Sequence, residues 1–314
     1  MIWDTIHGRG RGVVEEWGGI GYALAGLDAA LSADWQVTPL VKVGRDRAGA
    51  ARAFLAGLSH LAPEARFVEV PAINPCVTLR YTDAERRCEG LQGGVPPWTW
   101  EELGQMVLGL DAVYANFITG FEADLATMRA LRQAFPGPLY GDLHSLALGR
   151  QADGTRYYRP IDEALGWLTC FDVVQANEDE IHQLGEQPLT LAARALELGV
   201  SAVCVTLGGR GAVYVAAGDF THLGWAGASR PSRSAAHALV RTARVSAAGA
   251  PLDGDPTGCG DVFGAALAAR LLQGVPLEPA LDEANRMARR NVTYRGATGL
   301  QHHLRGAIQP VGAA

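Results

Sequence analysis

The sequence predicts an α/β fold in which helices cover both sides of a central, mostly parallel sheet. Short apolar strands alternate with helical segments, for example over residues 112–116, 123–135 and 139–142. Near the C-terminus a glycine-rich turn changes at Asp261 into a run of small helix formers. Regular alternation of this kind is typical of parallel sheets, whose ligands bind beyond the carboxyl ends of the strands.

Composition limits the classes of function. The 314 residues are 48% hydrophobic and 19% charged, and the net charge is −6. These values exclude a disordered chain and do not favour a nucleic-acid surface. The five cysteines are widely spaced, which favours reduced thiols and a cytoplasmic location. The N-terminus shows no leader pattern. From the length of the chain we expect one domain over residues 1–314.

The glycine-rich turn, residues 252–260, has the features of an anion site. Gly258 and Gly260 carry no side chain that would keep a charged oxygen from the backbone amides of residues 258–260, and the positive end of the helix dipole lies there. Asp261 follows directly. Its carboxylate either favours the helix dipole or takes a proton from a hydroxyl that attacks a bound phosphate. Spacing alone does not decide between these two interpretations.

The stretch D-P-T-G-C-G-D-V-F resembles the C-terminal signature of the ribokinase-like (PfkB) family of carbohydrate and nucleoside kinases, D-T-T-G-A-G-D-x-F. The matching residues are Asp255, Thr257, Gly258, Gly260, Asp261 and Phe263. The resemblance implies a three-layer α/β/α fold with a small β-lid. It also implies that Asp261 is the catalytic base and that the amides of Gly258, Cys259 and Gly260 hold the phosphoryl group. A monovalent cation, K⁺, near Asp255 is implied by resemblance only.

A second motif of the family, N-x-x-E, is matched by Asn177 and Glu180. The resemblance implies that Glu180 organises Mg²⁺ and phosphate through water, since Mg²⁺ keeps several of its waters in proteins. The same spacing fits a capping box, in which Asn177 begins a helix and Glu180 returns a hydrogen bond. The two interpretations are compatible.

The family's nucleotide motif T-x-G-x-x-G is matched by Thr206, Gly208 and Gly211. A plain glycine hairpin is the competing interpretation. Further on, the helix predicted over residues 279–292 resembles the helix that closes the adenine pocket, with Asn285 at the place of a frequent family Asn. Core packing explains the alanines of this helix nearly as well. ATP is therefore the expected donor.

The acceptor side is matched less completely. By resemblance Asp4 contacts the substrate, whereas a turn residue at a strand end is the alternative. Gly18 and Gly19 match the Gly-Gly pair at the mouth of the sugar site, but the Asn that usually follows is missing. We therefore expect an acceptor that is not bound like ribose or a simple hexose. Residues 2–4 resemble only the end of a first strand, so either that strand is very short or the true start lies upstream.

Three polar residues at strand ends, Asn116, Asp142 and His144, fall on the rim where ligands bind in such sheets. We expect them to contact substrate, although polar residues at strand ends are often only loop caps. Residues 66–82 alternate like strands with one polar face, and residues 8–16, polar and rich in glycine, suit a loop or small hairpin. By resemblance the segments of about 8–17 and 66–95 form the lid. An edge hairpin is the alternative. Such a lid is also a natural dimer surface.

Together these features predict an enzyme that moves the γ-phosphoryl group of ATP to a hydroxyl of a small sugar, polyol or nucleoside. A non-catalytic binding protein on a kinase fold is the alternative, because the acceptor pocket departs from the family pattern. An NAD-dependent oxidoreductase is disfavoured, since no G-x-G-x-x-G follows an early strand.

Overall fold

The computed structural model describes residues 1–7, 12–81, 87–185, 187–224, 239–249 and 252–307, so residues 8–11 and 82–86 of the predicted lid lie outside the described residues. The first third contains β1 (Ile2–His7), β2 (Val13–Gly18), α1 (Ile20–Ala30), β3 (Lys42–Gly44), α2 (Ala48–Ala56), β4 (Val68–Val70), β5 (Cys76–Tyr81), β6 (Arg87–Gln92) and α3 (Trp100–Val107). The middle contains β7 (Val113–Asn116), α4 (Leu125–Ala134), β8 (Leu139–Asp142), β9 (Leu148–Arg150), β10 (Arg156–Tyr158), α5 (Ala164–Leu168), β11 (Val173–Asn177) and α6 (Glu178–Ile181). The remainder contains α7 (Pro188–Glu197), β12 (Ala202–Thr206), β13 (Ala212–Ala217), β14 (Val240–Val245), α8 (Cys259–Leu272), α9 (Leu277–Asn291) and α10 (Leu300–Leu304).

The central sheet has six strands in the order β14-β13-β12-β11-β8-β7. Strands β7, β8, β11 and β12 run parallel, and β13 and β14 complete the sheet in antiparallel pairs. The predicted α/β fold with a mostly parallel sheet is confirmed. The register sets Asn116 opposite Asp142, and Asn177 opposite Thr206. The strand ends that carry the predicted polar residues therefore lie along one edge of the sheet.

A second, four-stranded sheet has the order β2-β1-β5-β6. Both predicted lid segments contribute to it, together with β1, whereas β4 pairs with β3 instead. Asp4 lies inside β1, opposite Glu16 on one side and Val77 on the other. Its interpretation as a turn residue at a strand end is therefore wrong. Alternate residues of β1 are buried, and Asp4 falls between Ile2 and Ile6 on the buried face.

Helices α1, α8 and α9 pack closely against one another. A Cβ atom at Gly26 of α1 would lie 2.9 Å from the Cβ atom of Ala265 in α8, so the small residues set this close approach. Helix α8 is buried along almost its whole length, which matches its run of alanine and leucine. This packing holds the first turn of α8 against the strand ends. Among the described helices, none combines the length and the apolar character that a membrane span requires.

Beside β7 there is a cavity of about 710 Å³, lined largely by apolar residues of 36–42, 109–118 and α1. The N-terminal ammonium group of Met1 also lines it and donates a hydrogen bond of 2.7 Å to the carbonyl oxygen of Lys42. Burial lowers the pKa of this amine to about 6. The cavity borders the site through Asn116, which closes the end of β7.

Candidate active site

The turn before α8 depends on glycine at position 258. Gly258 has a φ of 76°, in the left-handed region, and α8 begins at the next residue. A Cβ atom there would lie 2.2 Å from the ring of Tyr22 in α1, so no side chain fits. The amide of Cys259 donates to the carbonyl oxygen of Pro256 at 3.1 Å within this turn. Of the three predicted anion-binding amides, that of Cys259 is thus engaged within the turn itself.

Asp261 lies in the first turn of α8, with 6% of its surface exposed. The side-chain amide of Asn116 donates to its Oδ1 atom at 2.8 Å, across 145 positions of sequence. Asn116 was predicted to contact substrate; the structure places it as the partner that orients the predicted base. The Oδ1 atom of Asn116 is buried and has no hydrogen-bond partner among the described residues. The pair leaves an acceptor atom beside the predicted base.

Gln175, in β11, links this loop to the rim of the sheet and was not predicted from the sequence. Its Nε2 atom donates to the carbonyl oxygen of Gly260 at 3.0 Å and to Oδ2 of Asp142 at 3.1 Å. The hydroxyl of Tyr140 donates to its Oε1 atom at 2.7 Å, which fixes the amide orientation. A Cβ atom at Gly264 would lie 2.5 Å from that Oε1 atom, so glycine admits the amide against α8. A glutamine within an apolar strand was the signal in the sequence.

Asp142, His144 and Glu180 form a cluster at the same rim. The two carboxyl groups are buried, with 3% and 4% of the residue surface exposed. Nδ1 of His144 lies 3.3 Å from Oε1 of Glu180. One ligand atom from each of the three residues lies within 4.8 Å of the others. Asp142 and His144, predicted as substrate contacts, are therefore brought against the residue predicted to organise the metal.

The charges of the cluster perturb one another. Burial raises the pKa of Asp142 well above its usual range, and the negative charges of Glu180 and Asp261 raise it further. Burial by itself would lower the pKa of His144. The hydrogen bond to Glu180 and the three nearby carboxylates outweigh it and raise that pKa to about 10. His144 also has a φ of 30°, a strained backbone for a residue other than glycine.

The capping-box interpretation of N-x-x-E is confirmed. The side chain of Asn177 accepts from the backbone N–H of Glu180 at 2.8 Å, and Glu180 accepts from the backbone N–H of Asn177 at 2.8 Å. The Oε1 atom of Glu180 still faces His144. The capping hydrogen bonds therefore fix this carboxylate at the rim and leave it oriented toward the cluster.

The T-x-G-x-x-G segment is the turn of a β-hairpin. Strands β12 and β13 pair antiparallel up to Thr206 and Ala212, as the hairpin interpretation requires. Gly208 and Gly211 have φ values of 57° and 93°, and a Cβ atom at Gly211 would lie 2.2 Å from the carbonyl oxygen of Val245. Asn285 of α9 donates to that same carbonyl at 3.2 Å. The predicted nucleotide residues thus converge at the end of β14.

On the acceptor side, Gly18 and Gly19 lie where β2 meets α1. A Cβ atom at Gly18 would overlap the carboxyl group of Asp4, at 2.0 Å from Oδ2, so glycine lets that buried acid lie against the backbone. Gly19 has a φ of 43° and precedes α1, whose Tyr22 packs under Gly258. One helical turn therefore separates the predicted acceptor residues from the turn before α8.

Asp255, for which a monovalent cation was predicted, closes the same turn. Its Oδ1 atom accepts from the backbone N–H of Thr257 at 3.0 Å, and its own N–H donates to the carbonyl oxygen of Val292. The fully buried Asn291 donates to the carbonyl oxygen of Thr257 at 2.8 Å and contacts Sγ of Cys259 at 3.3 Å. Burial raises the pKa of the Cys259 thiol to about 12. Asn291 was not identified from the sequence.

Comparison with known proteins agrees with this arrangement. Residues 153–303, which include the N-x-x-E, T-x-G-x-x-G and D-P-T-G-C-G-D segments, match the family described as pfkB family carbohydrate kinase. No curated protein matches the sequence.

Several solved structures share the fold over nearly the whole chain. One is a pyrophosphate-dependent kinase in the ribokinase family, complexed with a pyrophosphate analog and myo-inositol (16% identity, 98% of this chain and 97% of that one, TM-score 0.71). Another is ribokinase from Thermotoga maritima (16% identity, 98% and 94%, TM-score 0.67). A third is ribokinase from Arabidopsis thaliana with ribose and ATP (18% identity, 98% and 95%, TM-score 0.66). The match to the pfkB family of carbohydrate kinases thus covers residues 153–303, and the ribokinase-like fold extends over the whole length of the chain.

Proposed function

We propose that the chain transfers the γ-phosphoryl group of ATP to a hydroxyl of a small sugar, polyol or nucleoside. The observation that carries the proposal is the buried carboxylate of Asp261, oriented by Asn116 in the first turn of α8, directly after the glycine turn. Transfer of a phosphoryl group to a hydroxyl requires a base and an anion site next to each other.

In this proposal Asp261 accepts the proton of the acceptor hydroxyl as that oxygen attacks phosphorus. The amides of the first turn of α8 and its dipole stabilise the charge that develops on the phosphoryl oxygens. The backbone at Gly260 is open, since nothing lies within 4 Å of a Cβ atom built there. The hydrogen bond from Gln175 to the carbonyl of Gly260 holds this turn in place before any ligand arrives.

The residues present also fit a divalent metal ion. Asp142, His144 and Glu180 offer two carboxylates and one imidazole within 4.8 Å of one another. When bound, such an ion neutralises charge on the donor phosphates. Asp142 and Glu180 would hold it at the rim, one strand away from Asp261.

Two versions of the proposal differ in the phosphoryl donor. The convergence of Gly211 and Asn285 at the carbonyl of Val245 supports a nucleotide, because residues from two of the predicted nucleotide segments meet there. Pyrophosphate is the second candidate donor, since one structure with this fold is described as pyrophosphate-dependent. For the acceptor, similar folds are described with myo-inositol, ribose, fructose or inosine bound. The missing Asn after Gly19 argues against ribose or a simple hexose bound in the way usual for the family.

The test is a matrix of two donors, ATP and pyrophosphate, against a panel of sugars, polyols and nucleosides. The readout is the mass of the phosphorylated acceptor, which separates transfer from simple hydrolysis. We expect one acceptor class to be phosphorylated with ATP. The matched variants are Asp261→Asn, which keeps an oxygen for the bond from Asn116, and Asp282→Asn on the exposed face of α9.

We expect Asp261→Asn to lose at least about a hundredfold in turnover, the lower range for a positioned base, and Asp282→Asn to match the wild type. Undiminished transfer by Asp261→Asn would remove the assignment of the base. Transfer from pyrophosphate alone would replace ATP as the donor. If no acceptor is phosphorylated by either donor while nucleotide still binds, the non-catalytic binding protein becomes the better interpretation.

A further inference from the structure

We propose that Asp142, His144 and Glu180 together ligate a divalent transition-metal ion directly, so that the chain binds Mn²⁺ or Co²⁺ more tightly than Mg²⁺. This metal site deepens the proposed function. It rests on that function only for the role of the ion in phosphoryl transfer. The sequence analysis predicted a Mg²⁺ ion held by Glu180 through water.

The geometry brings three ligand atoms to one point. They lie within 4.8 Å of one another, and opposite ligands of an ion with bonds near 2.1 Å are about 4.2 Å apart. Small side-chain rotations are enough to close that difference. Glu180 is fixed by its capping hydrogen bonds, and Asp142 by the bond from Gln175, so both carboxylates are oriented in advance.

The charge of the cluster calls for a cation. In the part of the chain that the structure describes, the charges acting on Asp142 come from Glu180, Asp261 and the imidazole of His144. Three buried carboxyl groups therefore face a single imidazole, which when protonated offsets only one negative charge. Buried charges are stable when paired or when they coordinate a metal, and a divalent ion would offset the excess negative charge.

The imidazole decides which ion is bound. Mg²⁺ prefers oxygen ligands and keeps most of its waters, whereas imidazole nitrogen suits later first-row ions. A site with one nitrogen and two carboxylate oxygens is therefore a better match for Co²⁺ than for Mg²⁺, and Mn²⁺, the weakest binder of the first-row series, lies between the two. His144 already lies with Nδ1 at 3.3 Å from Glu180, close to where an ion shared by the two would be bound.

The test uses the full chain, freed of metal with a chelator and without nucleotide. Calorimetric titration with Co²⁺, Mn²⁺ and Mg²⁺ measures affinity, and pulsed electron paramagnetic resonance of bound Mn²⁺ detects a directly coordinated ¹⁴N nucleus. We expect Co²⁺ and Mn²⁺ to bind at least about tenfold more tightly than Mg²⁺, with nitrogen coupling in the wild type.

Two histidine variants are matched. His144→Asn should abolish the nitrogen coupling and lower Co²⁺ affinity by about ten- to a hundredfold. His182→Asn changes an exposed histidine two residues after Glu180 and should leave both unchanged. Bound Mn²⁺ without nitrogen coupling in the wild type would overturn the proposal whatever the variants do, and so would equal affinities for the three ions.

The two proposals can fail separately. Phosphoryl transfer with Mg²⁺ and no preference for Co²⁺ or Mn²⁺ would overturn the metal assignment and leave the kinase function intact. Tight, nitrogen-coupled Mn²⁺ in a protein that phosphorylates no acceptor would support the metal site and contradict the proposed function.

Discussion

The substitution Gly260→Ala separates the chemistry of the glycine turn from its role in folding. Gly260 is the second residue of α8, has an ordinary helical backbone, and would have nothing within 4 Å of an added Cβ atom. Alanine is therefore accommodated without a clash. In a helix it is favoured over glycine by up to about 1 kcal/mol, so we expect the free energy of unfolding to stay equal or rise.

Turnover should change in the opposite direction. If the phosphoryl group approaches the backbone at this turn, as proposed, a methyl group on Gly260 occupies part of the open space beside it. We expect turnover to fall at least tenfold, which corresponds to about 1.4 kcal/mol in the activation free energy. Steady-state phosphorylation of the acceptor and urea unfolding measure the two effects on the same preparation.

Gly49→Ala is the matched control. Gly49 is also exposed, is also the second residue of its helix, and also has nothing within 4 Å of a built Cβ atom. It should gain stability as Gly260→Ala does and keep wild-type turnover. Turnover of Gly260→Ala within twofold of the wild type, at unchanged stability, would refute the placement of the phosphoryl group over this turn.

Three further predictions concern the rim and the thiols. Gln175→Glu removes the side-chain N–H group that donates hydrogen bonds to the carbonyl of Gly260 and to Asp142. It places a carboxylate beside both of these acceptors. We expect it to lower the free energy of unfolding by at least about 1–3 kcal/mol and to lower turnover, as measured by urea titration and acceptor phosphorylation; unchanged values would show that this amide does not brace the site. The pKa of His144 is raised to about 10, so the folded state binds more protons than the unfolded state between about pH 6.5 and 10, and this stabilisation is lost as the pH rises. In chelator, the difference in unfolding free energy between wild type and His144→Asn should shrink by up to about 4 kcal/mol from pH 6.5 to 9.5; a constant difference would contradict the shift. At pH 8 an aromatic disulfide reagent should react quickly with one thiol, the exposed Cys88, because burial raises the pKa of the other four. All five should react in urea, and Cys88→Ser should remove the fast phase; several fast equivalents in the native protein would contradict it.

Much of the fold could be predicted because local patterns determine it. The alternation of apolar strands and helices indicated the parallel sheet, and the change from glycine turn to helix at Asp261 placed the start of α8 within two residues. Buried and less buried residues also alternate through β1. Because Asp4 is acidic and strands disfavour Asp, its place on the buried face was not evident from the sequence. Its burial against Gly18 comes from the pairing of β1 with β2, which lies beyond a local pattern.

The contacts that assemble the site were the part that the sequence could not provide. Asn116 and Asp261 meet because the edge strand β7 and the first turn of α8 lie side by side, a consequence of helix packing on the sheet. The bonds of Gln175 have the same origin. Motif spacing identified Glu180, but its approach to His144 depends on the register between β8 and β11. Residue types and order are local information, whereas these distances are tertiary.

The bonds of Gln175 have a consequence for how the two substrates bind. The turn before α8 and the carboxyl group of Asp142 are joined through one amide in the ligand-free protein, so the donor meets groups that need little reorganisation. In the proposed function the acceptor instead binds beside a separate sheet, β2-β1-β5-β6, which the first hundred residues form. Substitutions around the acceptor pocket can therefore alter which hydroxyl is presented while the donor half keeps its geometry. If the proposed function holds, acceptor choice and phosphoryl chemistry are therefore separable properties of this chain.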